Sequence, residues 1–138
     1  VKIKFDNLDK TLLNEEIYQS QFIYLNNNSK FKLKKIIELL KKDESGIIKY
    51  FIEKLKINNF EQLSFGQRQA LVFLSLINEQ NKIILLDEVL SNVDNDIKQE
   101  LIQIIKPIIL QNNFLVFVTH DQMLIKQFSN TVVYEQKN

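Results

Sequence analysis

Cysteine is absent from this chain of 138 residues. Its absence removes disulfide frameworks and cysteine-based metal sites, and it fits a cytosolic setting. Long apolar runs are missing too. Residues 70–77 and 83–86 are among the apolar stretches, far short of the roughly 20 residues that a membrane-spanning helix needs. No charged-then-apolar leader opens the chain, whose first residue is Val rather than Met. Neither sign of charge dominates, the formal net charge being +1, so composition offers no reason to expect nucleic acid or an anionic surface as partner. Glycine occurs twice and proline once, which leaves asparagine to mark many of the turns. Asn26-Asn27-Asn28, Asn58-Asn59 and Asn112-Asn113 each fall between apolar-patterned segments.

What is present is the mix of one soluble domain, with 45% hydrophobic and 25% charged residues. The chain carries no repeat and no Pro- or Ser-rich linker. Residues 1–5 alternate as a half-buried strand does, a short helix follows before Ile17, and 23–25 read as an extended piece. Phe31, Leu33, Ile36, Ile37 and Leu40 define one amphipathic helix; Ile47, Ile48, Phe51, Ile52 and Leu55 define another. A helix is expected from Ser64 to about Asn78, with Leu71, Leu74 and Ile77 on its apolar face. Residues 83–86 are apolar without alternation, the pattern of a parallel strand covered on both faces. A helix from about Asn95 carries Ile97, Leu101, Ile104, Ile105 and Ile108 at helical spacing, and Pro107 is expected to kink or end it. A second apolar strand at 114–118, a short helix from Asp121 and a last strand at 131–134 complete the pattern. Strands alternating with helices imply an α/β layered fold with a largely parallel sheet.

Three junctions place a hydroxyl three residues before Gln or Asp: Ser64-Phe65-Gly66-Gln67, Ser91-Asn92-Val93-Asp94, and the neighbourhood of Thr119-His120-Asp121-Gln122. Each is a candidate helix start of the reciprocal capping kind. Helix starts also bind phosphate, because their free N–H groups and dipole favour an anion, and Gly66 would allow close approach. The strand at 83–86 ends in Asp87-Glu88. Ligands of open α/β sheets bind beyond the carboxyl ends of strands. A carboxylate there can hold Mg²⁺ with its waters, and its neighbour can act as a base toward water. His120, the single histidine, follows the second apolar strand and shares that sheet edge.

Taken in order, these segments resemble the ABC ATPase family. Leu63-Ser64-Phe65-Gly66-Gln67-Arg68-Gln69 is similar to the family's signature sequence, with Phe65 in place of its first glycine. Residues 83–88 resemble its Walker B strand and catalytic glutamate, 91–94 its D-loop, and His120 its switch histidine. Residues 17–24 resemble the Q-loop, with Gln21 as its glutamine. The resemblance implies a truncated P-loop NTPase-like fold with a small helical subdomain at 30–56, the α/β part being 1–29 and 57–138.

The roles it implies are these. ATP and Mg²⁺ are the cofactors. Ser64, Gly66 and Gln67 present the signature to ATP held by a second ABC ATPase domain, in a homo- or heterodimer. Asp87 binds Mg²⁺, with Gln21 also at the metal and linking the nucleotide to a neighbouring domain. Glu88 orients or deprotonates the attacking water. Asp94 sits at the dimer seam, and His120 contacts the γ-phosphate. The implied setting is the cytoplasmic face of a membrane, beside a transporter's membrane domain. No Gly-x-x-x-x-Gly-Lys occurs in the chain, and on this alignment that loop belongs before Val1. The 138 residues alone are therefore expected to bind ATP weakly and turn it over negligibly. A half-domain lending its signature to a partner, and a soluble ABC ATPase of DNA repair or translation, are the alternatives.

Overall fold

The computed structural model describes residues 21–127 and 132–134. The strand expected at 1–5, the helix before Ile17 and residues 17–20 lie outside them. The described chain runs β1 (Phe22–Asn26), α1 (Leu33–Lys41), α2 (Ile47–Lys54), α3 (Phe65–Leu74), β2 (Ile83–Asp87), α4 (Asn95–Leu110), β3 (Phe114–Val118), α5 (Gln122–Gln127) and β4 (Val132–Tyr134). The four strands lie in sequence order, β1-β2-β3-β4. Every pairing is parallel: Asn26 stands opposite Asp87, Asp87 opposite Val118, and Val118 opposite Tyr134. The fold is thus an α/β layer on an all-parallel sheet, as the apolar, non-alternating strand sequences require. No helix among the described residues is long and apolar enough to cross a membrane.

Right-handed crossovers between strands in sequence order carry the intervening helices to one face of the sheet. Burial agrees with that. Ile84, Leu86, Leu115 and Phe117 are fully buried on the helix-covered face. Their neighbours Ile83 and Leu85 are only half-buried, while Tyr24 and Phe114, on that second face, are 48% and 52% exposed. Val116 on that second face is nonetheless buried, so β2 is covered more fully on one face than on the other.

Helix α3 is the centre of the core. Residues 69–74 are buried without a break, so the helix packs all round rather than on the single face that Leu71, Leu74 and Ile77 suggested. It is also shorter than expected. Ser75 Oγ donates to the Val72 carbonyl at 2.5 Å, and Leu76 and Ile77 bond three residues back, so the chain tightens into turns instead of reaching Asn78. Helix α1 buries Ile36 and Leu39 and leaves Leu33, Ile37 and Leu40 exposed, a rotation of the core face away from the stripe read in the sequence. Helix α2 buries Ile48 and Phe51 as patterned. Helix α4 continues through Pro107 to Leu110 rather than ending there, because Ile105 and Ile109 are fully buried on either side of it.

The asparagine turns are built by side-chain bonds. Asn28 N–H donates to Asn26 Oδ1 and Glu61 N–H to Asn59 Oδ1, each at about 2.8–2.9 Å. Asn113 accepts from Lys82 N–H and donates to the carbonyls of Glu79 and Ile109. Together these fix the turn before β2 against the turn before β3.

Candidate functional site

Parallel pairing brings the carboxyl ends of β1, β2 and β3 to one edge, and the chemistry of the sequence collects there. Asp87 closes β2, and Glu88 follows in a left-handed conformation, φ +56°. That region is unfavourable for a side chain larger than glycine's, by about 1–2 kcal/mol. The turn is held because Glu88 N–H donates to the Val118 carbonyl at 2.9 Å, one step beyond the last β2–β3 register pair. Its consequence is that the two adjacent carboxylates diverge. Glu88 Oε1 accepts from His120 N–H at 2.8 Å and lies 3.6 Å from His120 Nε2. Asp87 turns toward β1, where Tyr24 Oη donates to Oδ2 at 3.0 Å. Tyr24 reaches it diagonally, since its register partner is Leu85. The bond to that carboxylate, with smaller effects of burial and the Asp87 charge, raises the Tyr24 phenol above its ordinary pKa.

Behind His120 the loop is anchored. Thr119 Oγ1 accepts from Asp121 N–H, and Asp121 Oδ1 accepts from Met123 N–H. Asp121, not Thr119, is therefore the acceptor at the start of α5. Its other oxygen takes the buried Lys98 ammonium at 2.7 Å. Burial on its own would raise the Asp121 pKa. The Lys98 bond and charge, with the Met123 and Leu124 amides, outweigh it and hold the carboxyl below the ordinary range.

A second group forms where α3 begins. Ser64 Oγ accepts from Gln67 N–H at 3.1 Å and Gln67 Oε1 accepts from Ser64 N–H at 2.9 Å, the reciprocal box expected from the sequence. Gln67 Nε2 donates to the Leu55 carbonyl, so this side chain ties the end of α2 to the start of α3 with both ends of its amide. Gly66 is needed for a reason the sequence did not disclose: a Cβ on it would stand 2.4 Å from the Asn92 carbonyl oxygen. Phe65 extends outward beneath the Arg68 guanidinium, 4.6 Å from its ring centre. Ser64, Gly66 and Gln67 share a cleft of about 180 Å³ with Val93, Asp94 and Ile97.

The capping device expected at Ser91 is not the one used. Asp94 is the residue before α4 and makes no side-chain cap, while Ser91 Oγ faces Asn92 and Gln69. Gln21 is placed apart from both groups. It precedes β1, and its carbonyl accepts from Ile83 N–H at 2.7 Å, at the amino edge of the sheet, a full strand away from Asp87. The residue at the carboxyl end of β1 is Asn26, register partner of Asp87. By this register Asn26, not Gln21, stands level with Asp87.

As to Mg²⁺, the described residues contain no group of three or more His, Asp or Glu arranged for a metal. Mg²⁺ is commonly held by one or two carboxylates, waters and substrate phosphates rather than by an all-protein cage. The donor chemistry of Asp87, beside the Glu88 carboxylate, fits that mode.

A parallel sheet whose carboxyl edge carries an acidic pair and a histidine, with a capped serine turn facing the following loop, defines a P-loop NTPase-like α/β layer. The comparisons narrow this class. An ABC transporter ATP-binding protein of Mycoplasma genitalium is 31% identical over 136 residues, covering 94% of this chain and 20% of that protein. The spermidine/putrescine import ATP-binding protein PotA of Onion yellows phytoplasma is 36% identical over 111 residues, 74% of this chain and 26% of that one. The energy-coupling factor transporter ATP-binding protein EcfA of the same phytoplasma is 33% identical over 85 residues, 62% and 31% respectively. The chain thus spans between a fifth and a third of these three relatives. No family profile matches it, and no solved structure matches it. The chain belongs to the ABC ATPase family.

Proposed function

We propose that this chain is the signature and Walker B portion of an ABC transporter's ATP-binding domain, working on Mg²⁺-ATP across a seam with a second such domain. The observation that carries this reading is the divergence of Asp87 and Glu88 at the sheet's carboxyl edge, with Glu88 against His120. In it Asp87 holds Mg²⁺, which when bound neutralises phosphate charge. Glu88 orients or deprotonates water, a task for a carboxylate within hydrogen-bond reach of the nucleophile. His120 contacts the terminal phosphate, and the His120–Glu88 bond keeps the two on one side of the edge. Ser64 and the α3 N-terminus serve the nucleotide held by the partner, which accords with their standing in a cleft distinct from Asp87 and Glu88. Asp94, in that same cleft, lies at the seam. Gly66 and Gln67 act by shaping the turn, Gly66 through its contact with Asn92 and Gln67 through Ser64 and Leu55. The helices within 30–56 form the small subdomain facing the transporter's membrane part.

ATP positioning in this class depends on the Gly-rich loop and its lysine, and these 138 residues hold no such motif. The purified chain is therefore expected to show negligible turnover alone. Mixed with an ABC ATPase domain that carries the loop, it is expected to associate when ATP is present. Light scattering or sedimentation with and without ATP reads this. Robust hydrolysis by the isolated chain would falsify the division of labour, and absence of association under every nucleotide condition would remove the seam.

A further inference from the structure

Gln69 lies two residues beyond the signature turn, and the reading above gives it no task. Its side chain is 2% exposed, yet both ends of the amide are engaged. Oε1 accepts from Asn92 N–H at 2.8 Å. Nε2 lies 3.2 Å from Ser91 Oγ and 3.4 Å from the Asn27 carbonyl, donating to both. Three separate pieces of chain meet on one buried amide: helix α3, the loop after β2, and the turn after β1. A second contact reinforces the first two. Gly66, one turn earlier on α3, packs so closely on the Asn92 carbonyl that no Cβ fits. Helix α3 therefore touches Asn92 twice, once through backbone packing at Gly66 and once through the Gln69 carbonyl oxygen.

We propose that Gln69 is a positioning residue that locks the signature helix, the 88–94 loop and the 26–29 turn into one body. Ser64 at the head of α3 and Asp94 at the end of the loop then keep a constant spacing across their cleft. The turn beyond Asn26, at the carboxyl end of β1, is carried with them. The significance for a nucleotide seam rests on the functional reading above; the mechanical linkage does not. An alternative in which α3 and the two loops move independently would leave the Gln69 amide without partners in a buried site, a cost comparable to losing its hydrogen bonds outright.

The test is amide hydrogen exchange by NMR on the 138-residue chain. Asn92 N–H reports the loop after β2. Asn28 N–H, bonded to Asn26 Oδ1, reports the turn after β1. In Gln69→Leu both amides are expected to exchange about tenfold faster, while those of Phe73 and Leu74 in α3 keep their protection. Gln69→Glu retains an acceptor for Asn92 but loses the donors, so Asn28 should quicken and Asn92 should not. This second variant also covers the case in which Gln69→Leu fails to fold. An unchanged Asn92 in Gln69→Leu, or an unchanged Asn28 in Gln69→Glu, overturns the three-way lock. In a second arm, Gln69→Glu is expected to weaken ATP-dependent association with a loop-bearing domain about tenfold. Altered exchange with undiminished association overturns the positioning role. Failure of the unmodified chain to associate removes the functional reading and leaves the exchange result standing.

Discussion

At Gly66 two opposing effects can be weighed. Alanine in a helix is favoured over glycine by about 0.8–1 kcal/mol, so Gly66→Ala would ordinarily stabilise. Here the new methyl would meet the Asn92 carbonyl at 2.4 Å, and overpacking of that kind costs about 1–3 kcal/mol. The clash wins because its obstacle is backbone. Gly66→Ala is expected to lower the urea midpoint without changing the slope. Asp121 supplies a prediction with a pH sign. Its folded pKa lies below the ordinary 3.8, so its contribution is complete above the unfolded value and is lost as pH falls through the folded one. Asp121→Asn leaves the buried Lys98 ammonium without its partner and is expected to cost about 1–3 kcal/mol at neutral pH, since the carboxylate is partly solvated. The gap between variant and parent should begin to narrow as pH falls past the unfolded value and should close only below the folded one, where the parent carboxylate is also protonated. A gap that persists unchanged to pH 2 would show that the ion pair is not its origin. Neither contact was legible in the sequence: the carbonyl that Gly66 meets belongs to Asn92, and the partner of Asp121 lies 23 positions away.

At the scale of elements, the residues that build local structure behaved as local rules say, and the exceptions are tertiary. The box at Ser64 and Gln67 formed as spaced, because everything it needs lies within four residues. The same spacing at Ser91 did not cap α4, because Ser91 and Asn92 are held by Gln69 from another helix. Pro107 shows the converse. It has no N–H for the carbonyl four residues earlier, yet α4 runs on to Leu110, held by buried Ile105 and Ile109. Burial of those two side chains outweighs a defect worth up to about 3 kcal/mol. Pro107→Ala is therefore expected to raise stability by about 1–3 kcal/mol, seen as a melting temperature several degrees higher. A drop would mean that the proline's ring packing, rather than the surrounding isoleucines, keeps the last turn in place.

For the molecule as a whole, the sheet's direction decides where chemistry gathers. Three carboxyl ends bring Asn26, Asp87, Glu88 and His120 to one edge, and the left-handed turn at Glu88 separates two carboxylates that are neighbours in sequence. If Glu88 is the group that handles water, Glu88→Gln should lower hydrolysis by about 10²–10⁴-fold in a protein that carries these residues and the Gly-rich loop on one chain. ATP-driven association should survive, because the carboxylate's proton transfer is not needed for docking. Equal loss of association and turnover would assign Glu88 a structural task instead, through its bond to the His120 amide.

Strand and helix identities, the Asn-marked turns, the Ser64 box and the acid pair were legible because period, turn chemistry and short-range capping are local. So was the order of motifs that brings the chain into its family. The face of α1 that is buried, the uneven cover of the two sheet faces, the placement of Gln21 at the opposite end of β1 from Asp87 and the partners of Gln69 were decided only by packing. Register and close approach join residues tens of positions apart, and no local pattern encodes which backbone will stand 2.4 Å from a missing methyl.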